Sequence, residues 1–194
     1  MGGPERQTSI YLRGVSGTRP KVPADATQLE ERAKKAMSRR AWAYVAAGAG
    51  TSQTVQNNRE GFAPWRIIPR VLRDVEKRDP GVELFGRRLP SPFLLCPVGV
   101  LELAHDDCDL AVARAARSEG IPMIFSNQAS TPMERVAKEL GDTPRWFQLY
   151  WSTSNELVES FVSRAESCGC EAIVEMTPLG ETFRIRRLPC SLIR

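Results

Sequence analysis

The apolar run Trp146-Phe-Gln-Leu-Tyr150 carries two polar side chains, Gln148 and Tyr150, spaced two apart. In an extended chain residues of equal parity face one side, so an amide and a phenol leave the same face of a strand. Polar groups held inside a fold need partners, and this pair suits either a bound polar ligand or an internal hydrogen-bonded pair. The single histidine, His105, precedes Asp106, Asp107, Cys108 and Asp109. Such a cluster suggests a general base or a metal site. A ligand set confined to five neighbours would be unusual, and the acids suit the positive N-terminus of a following helix better. Cys168-Gly-Cys170 departs from the Cys-x-x-Cys redox spacing. Cys96, inside an apolar run, behaves as a small hydrophobe. No metal site is expected.

Composition bounds what can position these groups. The chain has 194 residues, 42% of them hydrophobic and 26% charged, which describes an ordinary soluble globular protein. Its apolar run at residues 89–101 is too short to span a bilayer. The start, Met-Gly-Gly-Pro-Glu-Arg, lacks the apolar core of a signal peptide. Five scattered cysteines make no disulfide framework, so a cytoplasmic location is expected. The formal charge of +4 resides in the four arginines of residues 184–194; without them 23 basic residues face 23 acidic ones. Nucleic acid is therefore not an expected partner, nor is a membrane.

Residues 1–26, rich in Gly, Pro, Thr and Arg, read as an extended arm. Thr27, with Glu30 as capping-box partner, is expected to open a helix over 28–38. Further helices are expected over 40–47, stopped by Gly48-Ala49-Gly50, and over 52–62. Pro64 and Pro69 break that pattern around a short extended piece, 65–68. From Val82 the rhythm changes. Residues 82–90 suggest a hairpin with a glycine-centred turn at Gly86. Apolar runs at 93–100, 122–126, 146–150 and 171–176 then alternate with helices over 109–118, 132–140 and 155–167. Thr131 and Ser154 are the expected caps of the last two. Strands apolar on both faces and separated by helices define a parallel α/β sheet. No strand is followed by the glycine fingerprint of a dinucleotide fold, which counts against a doubly wound sheet; a (β/α)₈ barrel shares the alternation, and four strands would be half of one.

Five segments, in order, carry a resemblance: Tyr44-Val-Ala-Ala-Gly-Ala-Gly50, Glu83-Leu-Phe-Gly-Arg-Arg-Leu-Pro90, Pro97-Val-Gly-Val100, Asp109-Leu-Ala-Val-Ala-Arg-Ala-Ala116 and Trp146-Phe-Gln-Leu-Tyr150. The chain resembles the FMN-dependent 2-hydroxy-acid oxidoreductases, the glycolate oxidase group, with most likeness to the lactate 2-monooxygenase branch. The resemblance implies an α/β fold, the N-terminal half of a (β/α)₈ TIM barrel preceded by a helical N-terminal segment. On that basis residues 1–81 form the arm and helical segment, 82–176 the first half of the FMN-binding barrel, and 177–194 an aberrant Arg-rich tail.

The same resemblance implies FMN at the barrel mouth and a small 2-hydroxy acid above it, with a homo-oligomer for the full-length family member. Tyr44 and Tyr150 match positions that contact substrate. Pro97, Val98 and Gly99 match the first strand end, whose backbone lies along the flavin, with glycine there sparing a collision with the ring. Ser126 and Gln148 match hydrogen-bonding partners of the flavin. Tyr44 taken alone would be a packed core aromatic.

The match fades after Val174. Glu175-Met-Thr-Pro-Leu-Gly180 keeps an echo of the family, and residues 181–194 keep none. The expectation is a shifted frame or premature stop, with Arg184 not carried over as a substrate arginine. The family's catalytic histidine and arginine, in a Ser-Asn-His-Gly-Gly-Arg segment, have no counterpart here, so no catalytic residue is assigned. Two open sheet edges and aggregation are expected. The readings that follow are an FMN-dependent oxidoreductase of 2-hydroxy acids (lactate and O₂ to acetate and CO₂), an inactive fragment, or a small module that binds an acidic partner through its arginines.

Overall fold

In the computed structural model, residues 3–176 and 184–187 are described. The chain divides into two compact units, Met1–Ile67 and Ile68–Arg194.

The first unit is helical: α1 (Gly3–Val15), α2 (Ala26–Ala36), α3 (Arg39–Ala46) and α4 (Gln53–Glu60). The expected extended arm is thus largely a helix. Pro4 sits in its first turn, where a missing N–H costs nothing, with Glu5 in that turn and Arg13 in the last. The cap of α2 is Asp25 and not Thr27. Its Oδ1 accepts from the backbone N–H of Thr27 at 2.8 Å and Gln28 at 3.4 Å. The Thr27 N–H, foremost, holds the Asp25 carboxyl below the usual carboxylate range. Glu30, expected in a capping box, instead meets Arg59 of α4 at 2.6 Å. Ser38 caps α3 by accepting from Ala41 N–H at 3.1 Å. Among the described residues of this unit Ala41 is the one buried apolar side chain.

The second unit opens with the expected hairpin, β1 (Val82–Leu84) against β2 (Arg87–Leu89). Phe85 and Gly86 both take positive φ, 53° and 76°, the turn geometry that matches strand twist. Three parallel strands follow, β3 (Met123–Phe125), β4 (Arg145–Tyr150) and β5 (Ala172–Met176). They alternate with α5 (Cys108–Glu119), α6 (Met133–Leu140) and α7 (Asn155–Ser167). Ser154 caps α7 as expected, accepting from Leu157 N–H at 3.3 Å. Pro132, not Thr131, precedes α6; the Thr131 hydroxyl lies against Cys108 Sγ, and its N–H donates to Asp109.

The run 93–100 is not a regular strand. It meets the sheet at one parallel bridge, Leu95 to Met123, with Leu95 N–H donating to Pro122 at 2.9 Å and Ile124 N–H donating back at 3.0 Å. Pro97 lacks a donor and Gly99 weakens an extended run, which limits the pairing to that point. Cys96, expected inside a buried strand, is exposed for the same reason.

Alternation along the strands builds two cores. Met123, Phe125, Phe147, Leu149 and Ile173 pack with Ala113, Val136, Leu140, Val158 and other helix residues. On the opposite face Trp146, Ala172 and Val174 pack with Leu84 and Phe85 of the hairpin, Leu94 and Ile124. Phe85 lies 5.4 Å from the Trp146 ring, and Arg87 bridges Glu171 at 2.5 Å. The hairpin therefore covers the N-terminal end of the sheet's inner face.

Of the tail, residues 177–183 and 188–194 lie outside the described residues. Residues 184–187 form β6 (Arg184–Arg187), antiparallel to β5, with Ile185 opposite Val174 and Arg184 opposite Glu175. The expected open edge at β5 is thereby occupied.

Candidate functional site

The residues singled out in the second unit gather at the C-terminal ends of the parallel strands. Ser126 directly follows β3, Gln148 and Tyr150 end β4, and Pro97, Val98 and Gly99 follow the Leu95 bridge. Side chains at strand ends converge on one mouth in parallel α/β folds, where loops are free to vary without disturbing the sheet.

Gln148 is 1% exposed and anchors the cluster. Its Oε1 accepts from Asn127 N–H at 3.2 Å and from Ser126 Oγ at 3.4 Å. Ser126 Oγ in turn accepts from Gln128 N–H at 3.0 Å. Committing Oε1 to these donors turns Nε2 the other way, where it is buried without a hydrogen-bond partner among the described residues. A buried donor left unpaired costs about 1–3 kcal/mol, so this atom is suited to an acceptor supplied from outside the chain. Tyr150, two residues on, is 39% exposed and follows the same parity.

Gly99 has no room for a side chain, but the reason lies within the protein. A Cβ there would sit 2.9 Å from Gln128 Cβ and 3.6 Å from Ser126 Oγ. The backbone of 99–100 and the loop 126–131 are in contact, fastened by Val100 N–H donating to the Gln128 carbonyl at 2.9 Å. Val100 itself adopts φ 55°, a left-handed conformation that costs a β-branched residue. Val98 is half-exposed beside it.

Tyr44 belongs to α3 of the first unit and is 60% exposed, so it is not a packed core aromatic. His105 is exposed, and its Nδ1 accepts from Asp107 N–H at 3.0 Å. Of the acids beside it, Asp107 pairs with Arg114, while Asp109 turns inward to Thr131. As expected, these acids stand at the helix N-terminus, Asp107 at the N-cap position without a side-chain cap bond and Asp109 in the first turn of α5. Burial pushes the Cys170 thiol up to about 12 and the Cys168 thiol upward as well, so neither is a reactive thiolate at neutral pH. The contacts of Asp109, Asn127 and Thr131 escaped sequence reasoning, because they join segments about twenty residues apart.

Parallel strands alternating with helices, with the residues singled out above at the strands' C-terminal ends, define the second unit as an α/β fold. The family model described as FMN-dependent dehydrogenase matches residues 33–177. The chain is 37% identical to an L-lactate oxidase of Lysinibacillus sphaericus over 85% of its own length and 42% of that protein's. It is 38% identical to a 4-hydroxymandelate oxidase of Amycolatopsis orientalis, over 75% of this chain and 40% of the other. A crystal structure of mandelate oxidase with 3,3-difluoro-2-hydroxy-3-phenylpropionic acid superposes with a TM-score of 0.72 at 36% identity, covering 77% of this chain and 44% of that one. This chain belongs to the FMN-dependent dehydrogenase family, and its second unit has the fold of a partial (β/α)₈ barrel. It spans less than half the length of the relatives it matches.

Proposed function

We propose that this chain supplies the flavin-facing part of an FMN-dependent oxidoreductase of small 2-hydroxy acids. The unpartnered Gln148 Nε2 carries the reading, since the carbonyl-bearing edge of a flavin ring offers the acceptor it lacks. Gln148 and Ser126 would hold that edge, with the backbone of Pro97, Val98 and Gly99 alongside the ring. Tyr150, at the open end of β4, would reach the substrate carboxylate with its hydroxyl, and Tyr44 would be the second such contact. When bound, FMN supplies the two-electron acceptor for oxidation of the hydroxy acid. The residues here bind and orient. His105 is the one histidine of the sequence and makes its bond to Asp107 N–H at the surface, so substrate proton removal is not assigned to it. Lactate as substrate and O₂ as acceptor, with acetate, CO₂ and water as products, belong to the same proposal. So does a homo-oligomeric full-length form.

A second reading, binding without turnover, is favoured by β6, which occupies the edge of β5 in antiparallel sense where a barrel would add a parallel strand. The test for both is a titration of FMN with the full chain, followed by flavin fluorescence. Saturable quenching that weakens about tenfold in Gln148→Leu is expected, the worth of one hydrogen bond to a buried group. No quenching at any concentration would overturn the flavin reading. Oxygen uptake with lactate then separates turnover from binding alone.

A further inference from the structure

Asp109 is a carboxylate at 2% exposure with no part in the site so far described. It stands in the first turn of α5, where the helix N-terminus favours negative charge. Its Oδ2 accepts from Thr131 N–H at 2.9 Å, twenty-two residues away, and Thr131 is itself buried. The neighbouring Cys108 Sγ lies 3.3 Å from Thr131 Oγ1. Two more bonds run in parallel, Glu102 N–H to Ser130 Oγ at 3.1 Å and Val100 N–H to the Gln128 carbonyl at 2.9 Å. At its other end the same loop reaches Gln148 through Ser126 Oγ and Asn127 N–H.

The loop 126–131 is thus fastened on one flank to the segment 100–109 and on the other to the site amide. Of the groups on the first flank, Asp109 is the charged and most buried one. A hydrogen bond from a backbone N–H to a charged acceptor is about twice as strong as a neutral one.

We propose that Asp109 is a positioning residue, which fixes the loop 126–131 and through it the orientation of Ser126 and Gln148. It touches no ligand. Its influence on flavin rests on the function proposed above, whereas its hold on the loop does not.

The experiment compares the full chain with Asp109→Ala, Asp109→Ser and Asp109→Asn by hydrogen exchange and by FMN titration. Alanine removes the acceptor, and the serine hydroxyl ends short of Thr131 while keeping a polar first turn should alanine fail to fold. Asparagine retains an oxygen at the same reach. Exchange at Thr131 and across 126–131 is expected to quicken about tenfold in the alanine and serine variants, with β4 and α7 unchanged. The asparagine variant is expected to restore protection at Thr131, and FMN affinity is expected to follow the same order. Unchanged exchange across 126–131 in the serine variant would overturn the proposal, as would an asparagine variant as fast as serine. If the wild-type chain binds no FMN while the exchange pattern holds, the flavin reading fails and the positioning role stands.

Discussion

Backbone conformation and side-chain identity disagree at Val100. A left-handed conformation costs a residue with a Cβ roughly 1–2 kcal/mol, and β-branching adds to it. Such strain persists where neighbours over-determine it, and here the Gln128 carbonyl on the Val100 N–H does so. Val100→Gly is expected to raise the midpoint of urea unfolding, by up to about 1 kcal/mol in unfolding free energy, after allowing for the entropy glycine adds to the unfolded chain. A lowered midpoint would show that the Val100 side chain contributes more by packing than its conformation costs. At this scale the sequence was partly legible. The shared face of Gln148 and Tyr150 followed from parity alone, because a strand has period two. The clash at Gly99 was foreseen, but its source was not. Gln128 lies 29 residues on, and nothing local signals that the two backbones meet.

Helix α6 shows what an element contributes. Its buried face, Met133, Val136, Ala137 and Leu140, follows the three-and-four spacing of a helix packed on a sheet. Glu134 on its exposed side takes a forked pair of bonds from Arg164 of α7, at 2.7 and 3.0 Å. The Arg164 guanidinium, foremost by hydrogen bonding, holds the Glu134 carboxyl below its ordinary 4.5. A group whose pKa is lowered by folding stabilises above its unfolded value and loses that contribution as pH falls through the folded one. Both side chains are about half exposed, so the pair contributes no more than about 1 kcal/mol. Glu134→Gln is therefore expected to be slightly less stable than wild type at pH 7, with the gap shrinking below pH 4.5 and in high salt. A gap that persists at pH 3 would point to a cause other than charge.

Elements with self-contained signals were the legible ones. Helix α7 was legible because Ser154 and the apolar period lie in one stretch of sequence, as do the two turn residues of the hairpin. The cap of α2 was misplaced by two residues, since Asp25 and Thr27 are equally good candidates until their backbone angles are known. The irregular run 93–100 looked like a strand because its composition is right, while its pairing depends on donors that proline removes.

At the scale of the whole molecule, the second unit is an open parallel sheet with an antiparallel strand at one end. In that register Ile185 lies opposite Val174 and Arg184 opposite Glu175. An uncovered edge invites pairing with another chain. Deleting residues 184–194 is expected to speed hydrogen exchange in Ala172–Met176 and to shift the chain toward aggregates in sedimentation. Equal exchange and equal sedimentation would mean that β6 does not protect β5. Composition marked these residues as foreign to the rest, and from that they were expected to be a tail. Their strand was not legible, because nothing in an arginine-rich run signals an antiparallel return onto the edge of the preceding strand β5.

The hairpin under the sheet has a consequence for timing. Phe85 rests on Trp146, 61 residues further along, and Arg87 on Glu171, later still. At a synthesis rate of about 5–20 residues per second, the ribosome takes roughly 3–12 s to deliver Trp146 after Phe85. Through that interval the nascent hairpin has neither its aromatic partner nor its counter-charge. An isolated two-stranded hairpin is marginal in water, so it must form late or be sheltered until β4 and β5 arrive. Strands made later, β4 and β5, are what give the earlier hairpin a place to rest.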